Sequence, residues 1–123
     1  GCNYCWAHNA FFAEEMGVAP EREEAVWQYE TSPLITDAER SALRVAQLAA
    51  QVPNAVDDED IAEMKKYYSD AQIVEIVAVI AVFGFLNRFN DTMATELKDK
   101  PAEAGERYLA PHGWQLGKHA KKA

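Results

Sequence analysis

Two cysteines and a histidine sit close together in Cys2-Asn3-Tyr4-Cys5 followed by His8. On a helix, positions i and i+3 share a face. Their Cα atoms then lie about 5 to 6 Å apart, a separation that a disulfide accepts. Backbone N–H groups at a helix N-terminus carry partial positive charge, which favours a thiolate. Cysteines so placed can fall from about 8.5 into the range of roughly 3.5 to 7.5. The thiolate is the nucleophile in disulfide exchange and in attack on peroxide. His8 follows Cys5 by three positions, so the three side chains can line one side of a helix. A neutral imidazole takes a thiol proton, and an imidazolium stabilises a thiolate. The expected catalytic set is therefore Cys2, Cys5 and His8, with attacker and resolver unassigned. Asn9 could orient a group by hydrogen bonding, and Trp6 and Phe12 read as core packing.

A metal site is the chemical rival. Cys2, Cys5 and His8 offer three ligands, and His112 or His119 could add a fourth. Zinc sites usually bring a second ligand pair at similar spacing. Here a lone histidine in an apparent tail is all that is on offer, so no metal site and no tightly bound cofactor is expected. A purely structural pair of buried cysteines is a further alternative. The acidic run Asp57 to Asp60 reads as a helix start, since it lacks the glycine and alternating ligands of a calcium loop.

The segments that must hold these residues are helical. Cys2 to Met16 has apolar residues at Cys5, Trp6, Phe12, Ala13 and Met16, close to a 3.6 period, with Gly17 placed to end the helix. Pro20 opens a second helix to about Tyr29. Thr36-Asp37-Ala38-Glu39 is a capping box for a helix to about Gln51, with Ala42, Leu43, Ala46, Ala49 and Ala50 as its apolar face. A short helix runs from the acidic cluster to about Tyr67. Ser69-Asp70-Ala71-Gln72 is a second capping box, opening the longest helix, to about Leu97. Pro101 begins a last short helix to about Tyr108. From Pro111 the chain reads as a loosely structured tail. Val74 to Val82 is β-branched enough to suggest a strand, but the capping box and the length favour helix. The expected fold is a single all-α domain over 1–123, about six helices in an orthogonal array, with Ile73 to Phe89 central.

Composition fits this. The 123 residues are 49% hydrophobic and 26% charged, the balance of a globular chain. The net charge of -8 disfavours nucleic acid and anionic membranes as partners. The basic run Lys118-His119-Ala120-Lys121-Lys122 reads as a solvated end. The most apolar stretch, Ile73 to Leu86, contains Glu75 and falls short of the about 20 apolar residues of a membrane span. It reads as a buried helix or an oligomer interface, with Glu75 facing solvent, a partner or a base. Asn87, Arg88, Asn90 and Asp91 end that helix as a buried polar cluster, an intersubunit salt bridge or an ordinary amphipathic transition. No export signal is visible, so a cytoplasmic location is the default. In a reducing compartment two cysteines point to catalysis, redox sensing or metal binding.

The motif Cys-x-Tyr-Cys-x-x-His at a helix start resembles the carboxymuconolactone decarboxylase superfamily, on its alkyl hydroperoxidase D-like branch. The capping-box segments, Asn87-Arg88-Phe89-Asn90-Asp91 and Gly113-Trp114-Gln115-Leu116-Gly117-Lys118-His119 are similar to members of it as well. The resemblance implies an all-helical fold assembling into dimers, trimers or hexamers. It implies an antioxidant peroxidase or disulfide reductase using both cysteines. Electrons would come from a lipoyl group or another dithiol on a partner protein. It also implies proton relay by a histidine and an upstream glutamate. The relay histidine commonly lies four residues after the second cysteine, where this chain has Asn9, and the glutamate would precede Gly1. The chain is therefore expected to lack upstream helices of its family. The alternatives are a lyase or isomerase of the decarboxylase branch without redox cysteines, and an inactive helical assembly fragment.

Overall fold

The computed structural model describes residues 1–121, and these form six α-helices and no strand. They are α1 (Asn3–Glu15), α2 (Pro20–Ala25), α3 (Asp37–Ala49), α4 (Asp58–Met64), α5 (Asp70–Met93) and α6 (Asp99–Ala104). Val26–Gln28, Ala110–His112 and Gly117–His119 are 3-10 turns, and Gly105–Leu109 is a π turn. Val74 to Val82 is helical, so the capping box outweighed β-propensity there.

The start and stop signals act as their chemistry demands. Glu39 N–H donates to Thr36 Oγ1 at 3.2 Å, and Thr36 N–H to Glu39 Oε2 at 2.9 Å. Ser69 and Gln72 make the same reciprocal pair, at 3.3 and 2.9 Å. Asp57 and Asp60 form a third box at the acidic run. Helix α1 closes with Gly17 at φ +78°: its N–H reaches the Glu14 carbonyl, and Val18 N–H reaches the Ala13 carbonyl. Helix α5 closes in the same pattern, but on an alanine. Ala94 sits at φ +48°, with Ala94 N–H on the Asp91 carbonyl and Thr95 N–H on the Asn90 carbonyl. A left-handed L-residue costs about 1–2 kcal/mol.

The chain divides into two compact units. One comprises Gly1–Trp27 with Phe85–Ala123, the other Gln28–Gly84. The first has a core of Ala7, Ala10, Leu97, Ala104, Leu109 and Trp114. The second centres on Val45, Met64 and Ile73, flanked by Ala42, Tyr68, Ile76 and Ile80.

Three expectations are corrected. The buried face of α1 is Cys5, Ala7 and Ala10, while Phe12 and Met16 are exposed. Small residues let α6 and the π turn approach α1 closely, so the bulky positions point outward. Ile73 is the buried residue of α5 among those described; Val74, Val79, Val82, Phe85, Phe89 and Met93 are exposed. That helix therefore does not form the centre of the single chain. By length and apolar content it could cross a membrane, although Glu75, Arg88 and Asp91 lie along it. Finally, the segment from Pro111 is packed rather than loose. Trp114 is 3% exposed and His119 2%. Lys122 and Ala123 lie outside the described residues.

That last segment clamps the start of α1. The Trp114 ring covers Gly105, where a Cβ would fall 2.6 Å from the ring. Trp114 Nε1 donates to the Asn3 carbonyl at 2.8 Å, and Asn3 Nδ2 donates to the Gln115 carbonyl at 2.8 Å. Leu97 N–H donates to the His119 carbonyl at 2.9 Å. A buried aromatic needs a partner for its polar edge, and the Asn3 carbonyl serves.

Candidate active site

Both cysteines are buried and free. Cys2 is the N-cap of α1, and its sulfur accepts the Cys5 N–H at 3.3 Å. The cap position aims a helix-end donor at Cys2 Sγ, an arrangement that favours negative charge on that sulfur. Cys5 is different. Burial pushes its thiol up to about 12, and the hydrogen bond and charge of Cys2 add to the rise; a hydrogen bond from Asn90 opposes it. Cys5 therefore keeps its proton at neutral pH. Of the two sulfurs, Cys2 is the one that accepts a backbone N–H at the helix start.

The histidine that meets Cys2 is His119. His8 turns elsewhere: its Nδ1 donates to the Tyr4 carbonyl at 3.0 Å, and its ring lies 4.2 Å from the Tyr4 ring. It forms no cluster with the two sulfurs among the described residues. Asn9 donates its Nδ2 to the Cys5 carbonyl at 2.9 Å. His119 Nδ1 stands 2.8 Å from the Thr95 carbonyl. A carbonyl only accepts, so Nδ1 carries the hydrogen, and in the neutral ring Nε2 presents its lone pair. That Nε2 is buried without a hydrogen-bond partner. A His119 ring nitrogen, Cys2 Sγ and an Asp91 carboxylate oxygen lie within 4.8 Å of one another.

Asp91 completes the cluster from the last turn of α5. Its Oδ1 is 3.6 Å from His119 Nε2, and its Oδ2 accepts from Lys118 Nζ at 2.7 Å. The Lys118 hydrogen bond, with smaller help from His119, holds the Asp91 carboxyl below its ordinary range. The left-handed turn at Ala94 matters here. It ends α5 so that Asn90, Asp91 and the Thr95 carbonyl all serve the site. Thr95 Oγ1 also donates to Asn90 Oδ1 at 2.9 Å. The cluster can accept a proton from Cys2, hold it on an imidazolium beside a carboxylate, and return it.

Of the residues expected from the sequence, Cys2 and Cys5 lie together at the start of α1, while His8 faces Tyr4 and His119 stands beside Cys2. His119 was weighed only as a fourth metal ligand, in a segment read as a loose tail. The signal that could have found it is Trp114 in the same segment, since a tryptophan in a loose tail would be left exposed. Asn90 and Asp91 were noticed as a polar run, though not as part of the site.

A groove of about 390 Å³ opens beside α1, walled by Trp6, Asn9, Trp27, Tyr108 and Leu109. Trp27 meets the edge of Trp6 at 5.3 Å and stacks on His112 at 4.4 Å. Glu23 lines it with one buried oxygen that has no hydrogen-bond partner, and burial foremost raises its carboxyl above the usual range.

No family model matches the chain. The uncharacterized protein YnjA of Escherichia coli (strain K12) is 28% identical over 92 residues, covering 75% of this chain and 50% of that protein. The chain thus spans about half the length of that curated relative. Two crystal structures of the debrominase Bmp8 are similar in both sequence and fold. The apo form is 33% identical at a TM-score of 0.81, over 88% of this chain and 58% of that one. A cysteine-to-alanine variant in complex with 2,3,4-tribromopyrrole is 32% identical, with the same TM-score and coverage. The chain therefore shares its helical fold with an enzyme, the debrominase Bmp8.

Proposed function

We propose that this protein is a thiol-dependent reductase in which Cys2 attacks, Cys5 resolves and His119 moves the proton. The observation that carries the reading is the meeting of Cys2 Sγ, the unpartnered His119 Nε2 and Asp91 at a free dithiol. With a hydroperoxide, the Cys2 thiolate takes the terminal oxygen and becomes a sulfenic acid as the O–O bond breaks. The alkoxide collects the proton from His119 and leaves as alcohol. Cys5 then attacks the Cys2 sulfur, forms the disulfide and releases water. With a disulfide substrate, the same thiolate displaces one thiol and Cys5 displaces the other. An external dithiol, such as a lipoyl group, returns two electrons and two protons. The high-lying Cys5 thiol suits a resolver that must wait. His8 keeps at most a role in packing Tyr4 against the site.

A second substrate class is favoured by the Bmp8 neighbours and by the aromatic walls of the groove. There the Cys2 thiolate takes bromine from a brominated aromatic ring, and the ring carbon collects a proton. Cys5 then displaces bromide to give the same disulfide. Self-association belongs to this reading too, supported by the exposed valine and phenylalanine side chains of α5.

The test is turnover with dihydrolipoamide as donor and either cumene hydroperoxide or a bromopyrrole as acceptor. Cys2→Ser and Cys5→Ser should each abolish it, and His119→Gln should slow it by about 10²–10⁴-fold at neutral pH. Full activity in both cysteine variants would sink the reading, and the acceptor consumed separates the two substrate classes.

A further inference from the structure

We propose that the reduced protein binds one zinc ion through Cys2 Sγ, His119 Nε2 and Asp91 Oδ1, and that this ion and the Cys2–Cys5 disulfide exclude each other. Binding rests on the three donors alone; its consequence, a parked and protected thiol, rests on the proposed thiol chemistry.

The first argument is the donor set. One sulfur, one imidazole nitrogen and one carboxylate oxygen are the ligand types of a borderline-soft ion, and their atoms all lie within 4.8 Å of one another. Zinc–nitrogen and zinc–oxygen bonds of about 2.0–2.2 Å in a tetrahedron set two ligand atoms roughly 3.3–3.6 Å apart. His119 Nε2 and Asp91 Oδ1 stand at 3.6 Å.

The second argument is that each ligand is already oriented from behind. His119 donates Nδ1–H to the Thr95 carbonyl, which turns the lone pair of Nε2 into the site. Asp91 gives Oδ2 to Lys118, which leaves Oδ1 for the ion. Cys2 Sγ receives the Cys5 N–H, a contact that a thiolate retains when it ligates. Outer partners of this kind are what metal sites use to fix their ligands. The third argument is the orphan itself. Nε2 is buried without a partner in a residue only 2% exposed, and an ion would supply one. The Asp91 side chain is 38% exposed, so solvent reaches the cluster from its side.

Binding releases the Cys2 thiol proton to solvent and leaves a fourth coordination position open to water. A Cys2 sulfur in a disulfide has no thiolate to offer, so oxidation and metal binding compete for one atom. Cys5 is not among the three ligands and is dispensable for binding.

Cobalt(II) chloride titrated into the reduced full chain is the test. A thiolate-to-cobalt absorption should appear at one ion per chain, vanish on oxidation to the disulfide and be displaced by zinc. Cys2→Ser should abolish the band. His119→Gln and Asp91→Asn should each weaken binding by more than about 100-fold, beyond the roughly 10–100-fold cost of losing an outer partner. Cys5→Ser should keep the band. If Cys5→Ser loses it while His119→Gln keeps it, the two sulfurs alone chelate the ion and the proposal is overturned. An absent band in the reduced wild type overturns it as well. Asp91→Asn changes a partly exposed carboxylate, and circular dichroism of each variant checks that the helices remain. Cobalt binding in a protein with no turnover would remove the reductase reading and leave the metal site standing.

Discussion

The two units of this chain are built on different terms. The unit Gln28–Gly84 contains neither cysteine nor histidine. Its helices start from reciprocal capping boxes, and its most buried ion pair joins Arg44 Nε to Asp60 Oδ1 at 2.7 Å. The other unit holds both cysteines and all three histidines. Its key contacts join residues far apart in sequence, such as Asn3 with Gln115 and Arg107 with Glu14. One unit is specified by neighbours along the chain, the other by segments that meet only after folding. The candidate site lies in the second kind, where Cys2, Asp91 and His119 come from three separate segments.

Substitutions can break or sharpen this contrast. The largest effect is expected from Met64→Ala. Met64 is fully buried in the small core around Val45 and Ile73, and its loss should cost about 2–5 kcal/mol in urea unfolding. If the units are as independent in their roles as their cores imply, cobalt binding at Cys2 in the folded protein should be unchanged. A coupled loss of both would erase the distinction. Next comes Gly105→Ala, where the new methyl meets the Trp114 ring. Overpacking should cost about 1–3 kcal/mol, and here turnover should fall with stability, because Trp114 clamps the segment that carries His119. Unchanged turnover would mean that the clamp does not position the histidine.

The smallest effect concerns pH. The Arg44 hydrogen bond, foremost, holds the Asp60 carboxyl below its usual range, against the cost of burying it. The folded state therefore binds this proton less readily than the unfolded chain. The resulting stability is present above the unfolded value of about 3.9 and is lost as pH falls through the depressed folded value. Arg44 is more than half exposed, so solvent screening keeps the effect small. Asp60→Asn should be less stable than wild type at neutral pH, with the gap closing in acid. A gap independent of pH would assign the effect to the capping hydrogen bonds of α4 instead.

The same contrast explains what could be read from the sequence. Thr36 with Glu39 and Ser69 with Gln72 are local signals, and each opened a helix where expected. Gly17 ended α1 for the reason glycine usually does. The Cys2–Cys5 pair was legible because a three-residue spacing is itself local. His119 was not, since its role depends on a tryptophan, a glycine and a left-handed alanine acting together over distance. The end of α5 was misjudged for a related reason. Alanine is a helix former, and nothing nearby announces that Ala94 will take φ +48°. The apolar face of α5 was read as a buried helix or an oligomer interface, because apolar content reports a wish for burial and does not name the covering surface.

The clamp at Asn3 has a consequence in time. Asn3 and Gln115 are 112 positions apart, and the Trp114 bond to the same residue spans 111. A ribosome finishes the cysteine pair long before it makes the residue that is proposed to deprotonate Cys2. Contacts of such long range also tend to form late in folding. A nascent chain would therefore carry Cys2 and Cys5 as ordinary thiols, without His119 beside them. On this view the protein arms its sulfur only once the whole unit has closed, which keeps an unfinished chain from reacting.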